Sequence, residues 1–427
     1  MRAACSECGI QTSLSPMQYS CSCGGLLQVI HAASEPDTDK LKRIFHERRS
    51  ERNTLYASGV WRYKELIAPD LPDHMIVCKN EGNTGMYQSE SLTEYAGVRG
   101  LSLKAQSENP SGSFKDNGMT AAVSHGRWLG YDRFACSSTG NTSSSLAMYA
   151  ALAGVKSIVL VPDRDVSAGK VLQTLAYGAD LCTFRGTYDD GIRFLQENAE
   201  ELGLYVCNSI NPLRIEGQKS IIYEIAQELD WKLPDWIVLP GGALSNAAAL
   251  GRGLQDLFSL GFIERLPQVA VVQAEGASPF HRMVASMRCS GNNGLPPCIE
   301  FHSEQQPQTR ASALNIGNPP SWRKALRTLT LTQGTTVSVS DQEIMEAKAY
   351  IDRSGIGCEP ASAAALAGLR KLVRQGDVHP EQTAVCILTG NMLKDTDAIS
   401  EYHLRNDPSS ALRNTMRQVD LIYEAFQ

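Results

Sequence analysis

Lys115 sits where a side chain could do covalent chemistry. It lies within Ser107-Glu108-Asn109-Pro110-Ser111-Gly112-Ser113-Phe114-Lys115-Asp116-Asn117-Gly118, after a strand-like run at 101–104 and just before a helical pattern from Met119. A lysine at a loop-to-helix junction can reach into a cleft, and the positive end of a helix lowers the basicity of an ammonium beside it. Such a setting suits an amine that condenses with a carbonyl to form a Schiff base. A solvated lysine at a turn is the plain alternative.

Three further stretches carry anion-binding chemistry. Ser137-Ser138-Thr139-Gly140-Asn141-Thr142-Ser143 follows a strand and leads a helix of small residues; its hydroxyls outnumber what a helix cap uses. Free backbone N–H groups plus hydroxyls at a helix start make a cradle for carboxylate or phosphate. Leu239-Pro240-Gly241-Gly242-Ala243-Leu244-Ser245-Asn246 is a strand, glycine turn and helix start, which holds phosphate through backbone donors. It has neither the lysine of a P-loop nor the spacing of a dinucleotide fingerprint. Finally, Thr389-Gly390 follows the last strand, where a threonine points into the cleft of an α/β sheet, and Glu359 precedes a helix whose dipole it complements.

The elements that must position these residues alternate along the chain. Strand-like runs at 133–136, 157–161, 237–239, 269–273 and 384–388 alternate with helical patterns at 119–129, 143–153, 170–177, 189–202, 218–229 and 361–373. Short apolar strands between amphipathic helices imply parallel sheets with right-handed crossovers, hence an α/β protein in two lobes. Residues 287–307, rich in Gly, Asn, Pro and Gln, read as a loop. Ahead of the lobes, Cys5-x2-Cys8 and Cys21-x-Cys23 offer four thiolates, which suits a structural tetrahedral zinc. The second pair is tighter than usual, so a metal-free knuckle is the alternative. The other eight of the 12 cysteines are scattered among apolar or helical stretches and read as small buried hydrophobes.

Composition narrows the class. The 427 residues carry a net charge of −6, with 42% hydrophobic and 20% charged residues, an ordinary globular balance. A mildly acidic chain is a poor nucleic-acid binder. No apolar run approaches the ~20 residues a membrane span needs. The N-terminus shows neither an apolar signal core nor a basic transit pattern, so a cytoplasmic protein is expected.

Taken in order, these motifs resemble threonine synthase and its relatives among the fold-type-II pyridoxal-phosphate enzymes. The resemblance runs from Cys5 to about Asp397. It rests on the cysteine pairs, Trp61-Arg62-Tyr63, Glu81-Gly82-Asn83-Thr84 and Asn109 to Asp116. It continues through Ser138-Thr139-Gly140-Asn141-Thr142, Asn208-Ser209-Ile210-Asn211-Pro212, Arg214-Ile215-Glu216-Gly217-Gln218 and Ile316-Gly317-Asn318-Pro319. Cys358 to Ala363 and Thr389-Gly390 complete it.

The resemblance implies a tryptophan synthase β-like fold of two α/β lobes. The expected divisions are an N-terminal knuckle and arm (1–75), a large cofactor-binding domain (76–110 and 210–427) and a small domain (111–209). Lys115 would hold pyridoxal phosphate covalently. The turn Gly241, Gly242, Ala243, Leu244, Ser245 and Asn246 would seat the cofactor phosphate, Asn141 would meet its 3-hydroxyl, and Thr389 would face its ring nitrogen. The implied reaction turns O-phospho-L-homoserine and water into L-threonine and phosphate. Ser138, Thr139 and Thr142 would take the substrate carboxylate; Asn208, Arg214 and Thr84 or Ser111 its phosphate. A homodimer is common among such enzymes.

This chain departs from the family pattern at Gly85, Asn117, Ala243 and Ser245, where proline, arginine, an amide and glycine are common. The departures leave two alternatives open. One is elimination or replacement chemistry on another amino acid or phosphoamino acid. The other is a non-catalytic paralogue that binds an amino acid or a partner protein. The residues after Thr396 amount to a helix or two, too few for an appended regulatory domain.

Overall fold

The computed structural model describes residues 1–31, 37–163, 168–289, 299–404, 412 and 414. Its strands are β1 (Arg2–Cys5), β2 (Gln11–Ser13), β3 (Leu27–Ile30), β4 (Met86–Tyr87), β5 (Gly100–Ala105), β6 (Arg133–Ser137) and β7 (Lys156–Pro162). They continue as β8 (Asp180–Phe184), β9 (Tyr205–Val206), β10 (Trp236–Pro240), β11 (Gln268–Ala274), β12 (Thr335–Val339) and β13 (Thr383–Leu388).

Three sheets result. The largest runs β12-β11-β10-β13-β5-β4 and is parallel except for the short edge strand β4. The second, β8-β7-β6-β9, is wholly parallel. A small antiparallel sheet, β2-β1-β3, carries the cysteine pairs.

The apolar runs of the large sheet follow from burial on both faces. Ile237, Leu239, Val269, Val271, Val385 and Ile387 enter one core, whereas their neighbours Trp236, Val238, Ala270, Val272, Ala384 and Cys386 enter the core on the opposite face. Each buried Val, Leu or Ile contributes about 1.5–3 kcal/mol, so this two-sided alternation fixes the sheet between its helices. The helix Pro360–Gln375 covers one face. Proline stands in its first turn and Gly376 ends it at φ 82°, the asymmetry expected of helix ends.

A third core joins the four-stranded sheet to the small N-terminal sheet. Phe134, Cys136, Val159 and Tyr205 pack there with Leu14, Tyr19, Leu27 and Val29. Among the described residues no helix is long and apolar enough to cross a membrane. Part of the expected loop at 287–307 lies outside the described residues; 299–307 is irregular.

Candidate active site

Open α/β sheets bind ligands beyond the carboxyl ends of their strands. Four such ends converge here: those of β5 (leading to Lys115), β6 (leading to Ser138), β10 (leading to Gly242) and β13 (leading to Thr389). The result is one cavity of about 610 Å³, lined by Lys115, Ser138, Thr139, Asn141, Thr142, Gly242, Ala243, Leu244, Ser245, Asn246 and Thr389. Gly241 stands just behind the lining, its N–H donating to the Val272 carbonyl at 2.7 Å.

Lys115 is the first residue of the helix Lys115–Trp128. Its loop is pinned to the end of β13, where the Phe114 N–H donates to the Thr389 carbonyl at 2.9 Å. Among the described residues, Lys115 Nζ has no hydrogen-bond partner; it rests 4.0 Å from the Phe114 ring centroid. Burial, reinforced by the nearby Arg214 guanidinium, lowers its pKa from 10.5 to about 7, against an upward pull from Glu359. An amine so placed is largely neutral slightly above neutral pH, as a nucleophile and a proton acceptor must be.

The serine-rich stretch forms the second wall. The helix Asn141–Ala153 has Gly140 at its cap and no capping side chain, so its first N–H groups are free for an anion. Ser143 and Ser144 turn their hydroxyls back to the Gly140 carbonyl, and Ser145 donates to Asp116 at 2.5 Å. Ser138, Thr139 and Thr142 remain in the cavity lining as the hydroxyl residues not turned back in this way.

The glycine turn opens the helix Ser245–Ser259. Ser245, where glycine is common, is already helical, and the left-handed residue of the turn is Leu244, whose φ is +64°. Burial of the Leu244 side chain offsets the ~1–2 kcal/mol of a left-handed conformation. Asn246 Nδ2 is buried without a partner.

Glu359, which from sequence had only a dipole role, reaches the cavity. Its carboxylate accepts from Asn141 Nδ2 at 3.1 and 3.0 Å, and burial raises its pKa. Gly390 makes room for it, because a Cβ there would sit 2.4 Å from Glu359 Cδ. Thr389 Oγ1 lies 2.9 Å from Ser362 Oγ, which also accepts the Thr389 and Gly390 N–H groups.

Four expected substrate contacts lie outside this lining. Thr84 borders a separate pocket and accepts from Gln106 Nε2 at 2.9 Å. Ser111 donates to Asp116 at 2.6 Å. Asn208 clasps the Ser137 backbone through both ends of its amide, at 3.0 and 2.9 Å. Arg214 is buried behind the wall; Nη1 donates to the Cys207 carbonyl at 2.9 Å, and Nε and Nη2 have no partner. Two of the departures are also explained. Gly85 faces the Tyr87 ring, which a Cβ would strike at 2.4 Å, and its N–H donates to Glu108. Asn117 is buried and donates to Ser220 Oγ at 2.9 Å.

The cavity also holds residues that sequence reasoning passed over. Lys394 bridges to Ser144 at 3.1 Å and to Gln173, both carried by the four-stranded lobe. It stands five residues after Thr389 in the same segment, so its proximity was readable. Gln173 and Tyr188 gave no such signal.

Among the described residues, cationic and donor groups dominate this site: Lys115 and Lys394 in the lining, the unpartnered nitrogens of Asn246 and, behind the wall, of Arg214, and two helix starts, against the one cavity carboxylate of Glu359. That donor set fits an aldehyde carrying a phosphate, together with an anionic amino acid.

Comparison with known proteins agrees with this geometry. Residues 77–390 match the family model described as "Pyridoxal-phosphate dependent enzyme". Threonine synthase of Methanocaldococcus jannaschii is 38% identical over 93% of this chain and 94% of its own. That of Methanosarcina acetivorans is 41% identical over 92% of each. The fold is similar to that of Escherichia coli threonine synthase, with a TM-score of 0.71 at 15% identity, covering 97% of this chain and 96% of that one. The chain therefore belongs to the pyridoxal-phosphate dependent enzymes, in the threonine synthase family.

Proposed function

We propose that the enzyme converts O-phospho-L-homoserine and water to L-threonine and phosphate. The observation that supports this most is the unpartnered amine of Lys115, held near neutral pKa within a wall of anion-binding groups. Relatives across nearly the whole chain are named threonine synthase.

Lys115 would hold pyridoxal phosphate, the turn from Gly241 to Asn246 would seat its phosphate, and Asn141 and Thr389 would contact its ring substituents. What the bound cofactor supplies is an electron sink that acidifies the hydrogens of the substrate's Cα and Cβ. Ser138, Thr139, Thr142 and the bare helix start at Gly140 hold the substrate carboxylate and so orient Cα–H toward Lys115. Lys115 removes the proton from Cα and then shuttles protons at Cβ and Cγ. The Cγ–O bond breaks and phosphate leaves. The oxygen of water bonds to Cβ, Cγ gains a proton to become the methyl group, and Lys115 returns a proton to Cα.

Arg214 supplies buried positive charge for a phosphate dianion, and Asn208 secures the wall in front of it through Ser137. Thr84 and Ser111 contribute at one remove, through Gln106 and Asp116. The same reading divides the chain at 76–110 with 210–427 and at 111–209, and places a homodimer in the cytoplasm, as the resemblance implies.

The test is to incubate cofactor-saturated enzyme with O-phospho-L-homoserine and measure phosphate and threonine together. Equal amounts are expected. Turnover of O-phosphoserine or O-acetylserine with none of the homoserine ester would refute the proposal.

A further inference from the structure

The N-terminal sheet brings four thiols to one point. Cys5 Sγ lies 3.4 Å from Cys23 Sγ, Cys8 lies 3.5 Å from Cys23 and 3.6 Å from Cys21, and all four sulfurs fall within 4.8 Å of one another. A disulfide needs about 2.05 Å. A tetrahedron of thiolates around zinc, with Zn–S of about 2.3 Å, has S···S edges of about 3.8 Å. The observed spacing matches that tetrahedron.

The backbone is built for the same purpose. Two turns present the pairs: Gly9 N–H donates to the Cys5 carbonyl at 3.1 Å, and Gly24 N–H to the Cys21 carbonyl at 2.8 Å. The Glu7 N–H donates to Cys5 Sγ at 3.3 Å, the kind of contact that supports a metal-bound thiolate. At Gly25 a Cβ would lie 2.6 Å from Cys5 Sγ, so glycine there keeps the centre open.

The sheet that carries the thiols touches both lobes. Lys324 donates to the Leu27 carbonyl at 2.6 Å, and Glu7 faces Arg323 and Arg327, on the helix Trp322–Thr332 beside the large sheet. The Val206 N–H of β9, in the four-stranded sheet, donates to Tyr19 Oη at 2.6 Å. His31 meets Glu216 at 2.6 Å, on the helix that also bears Arg214. Strands of three or four residues bury too little to hold such a module rigid on their own.

We propose that Cys5, Cys8, Cys21 and Cys23 bind one structural zinc ion, and that this centre fastens the N-terminal sheet as a clamp across the two lobes. Four protein ligands leave no open coordination position, so the ion supports the fold and takes no part in the chemistry at Lys115. The inference does not depend on the identity of the substrate.

The test is elemental analysis of the full-length enzyme purified without chelator. One zinc per chain is expected, released as a mercurial reagent titrates the thiols. Replacing it with cobalt should give thiolate-to-cobalt charge transfer and tetrahedral d–d absorption. Cys8→Ser and Cys23→Ser, at the two exposed ligands, should lose the zinc and make the first 31 residues more sensitive to protease. Metal-free thiols, a mass deficit showing two disulfides, iron in place of zinc, or full zinc content in both variants would overturn the proposal.

Discussion

Lys115→Met should stabilise the cofactor-free protein, and by an amount that depends on pH in a defined direction. Lys115 falls from 10.5 to about 7 on folding, chiefly by burial and then by the Arg214 charge. At ~1.4 kcal/mol per pKa unit, the charged amine destabilises the fold by about 5 kcal/mol. The folded pKa is the lower one, so below about 7 both states are protonated and the folded state carries the whole cost. Between about 7 and 10.5 the unfolded chain binds the extra proton, and the cost falls by ~1.4 kcal/mol per pH unit. Methionine removes the charge and keeps the bulk. Its stabilising effect should therefore be about 2 kcal/mol larger at pH 7 than at pH 9. Any packing contribution of methionine is common to both pH values and cancels. Urea unfolding of the two apo-proteins at each pH measures the difference. Equal stabilisation at both values would show that Lys115 titrates near its ordinary pKa, and would refute the account of its reactivity.

Gly390→Ala should cut kcat/KM by about a hundredfold, because its Cβ would displace Glu359, which holds Asn141; steady-state kinetics on O-phospho-L-homoserine decide this. Glu359→Gln removes the charge that holds the Lys115 pKa up, so reaction of the apo-enzyme amine with an acylating reagent should begin at lower pH; an unchanged profile would separate the two residues. Arg214→Ala should raise KM for the phosphorylated substrate by about 10- to 100-fold, and unchanged kinetics would remove Arg214 from phosphate recognition.

The parallel strands were the most legible part of the chain. Runs such as 237–239 and 384–388 are apolar at every position because both faces are buried, and β10 and β13 contain them. β8 and β12 were passed over: Asp180–Phe184 is largely exposed or half-buried, and Thr335–Val339 opens with polar Thr-Thr, so neither reads as a buried strand. The pattern at 218–229 forms one helix, Ser220–Glu228, whereas the short helix Pro212–Gln218 ahead of it was passed over; the two meet at Lys219, whose buried ammonium binds Glu216 and Asp256. Within the site, residues carried by loops after strands were readable from local spacing. Glu359 was not, because what brings it beside Asn141 is the packing of the segment next to β13 against the four-stranded lobe. That long-range packing leaves no trace in a local window.

The most direct measurement is to run the reaction in water enriched in heavy oxygen and weigh both products. The account breaks Cγ–O and adds solvent oxygen to Cβ. The label should therefore appear in the threonine hydroxyl and be absent from the released phosphate. Label in phosphate, with homoserine as the other product, would mean hydrolysis at phosphorus and would contradict the role given to Lys115.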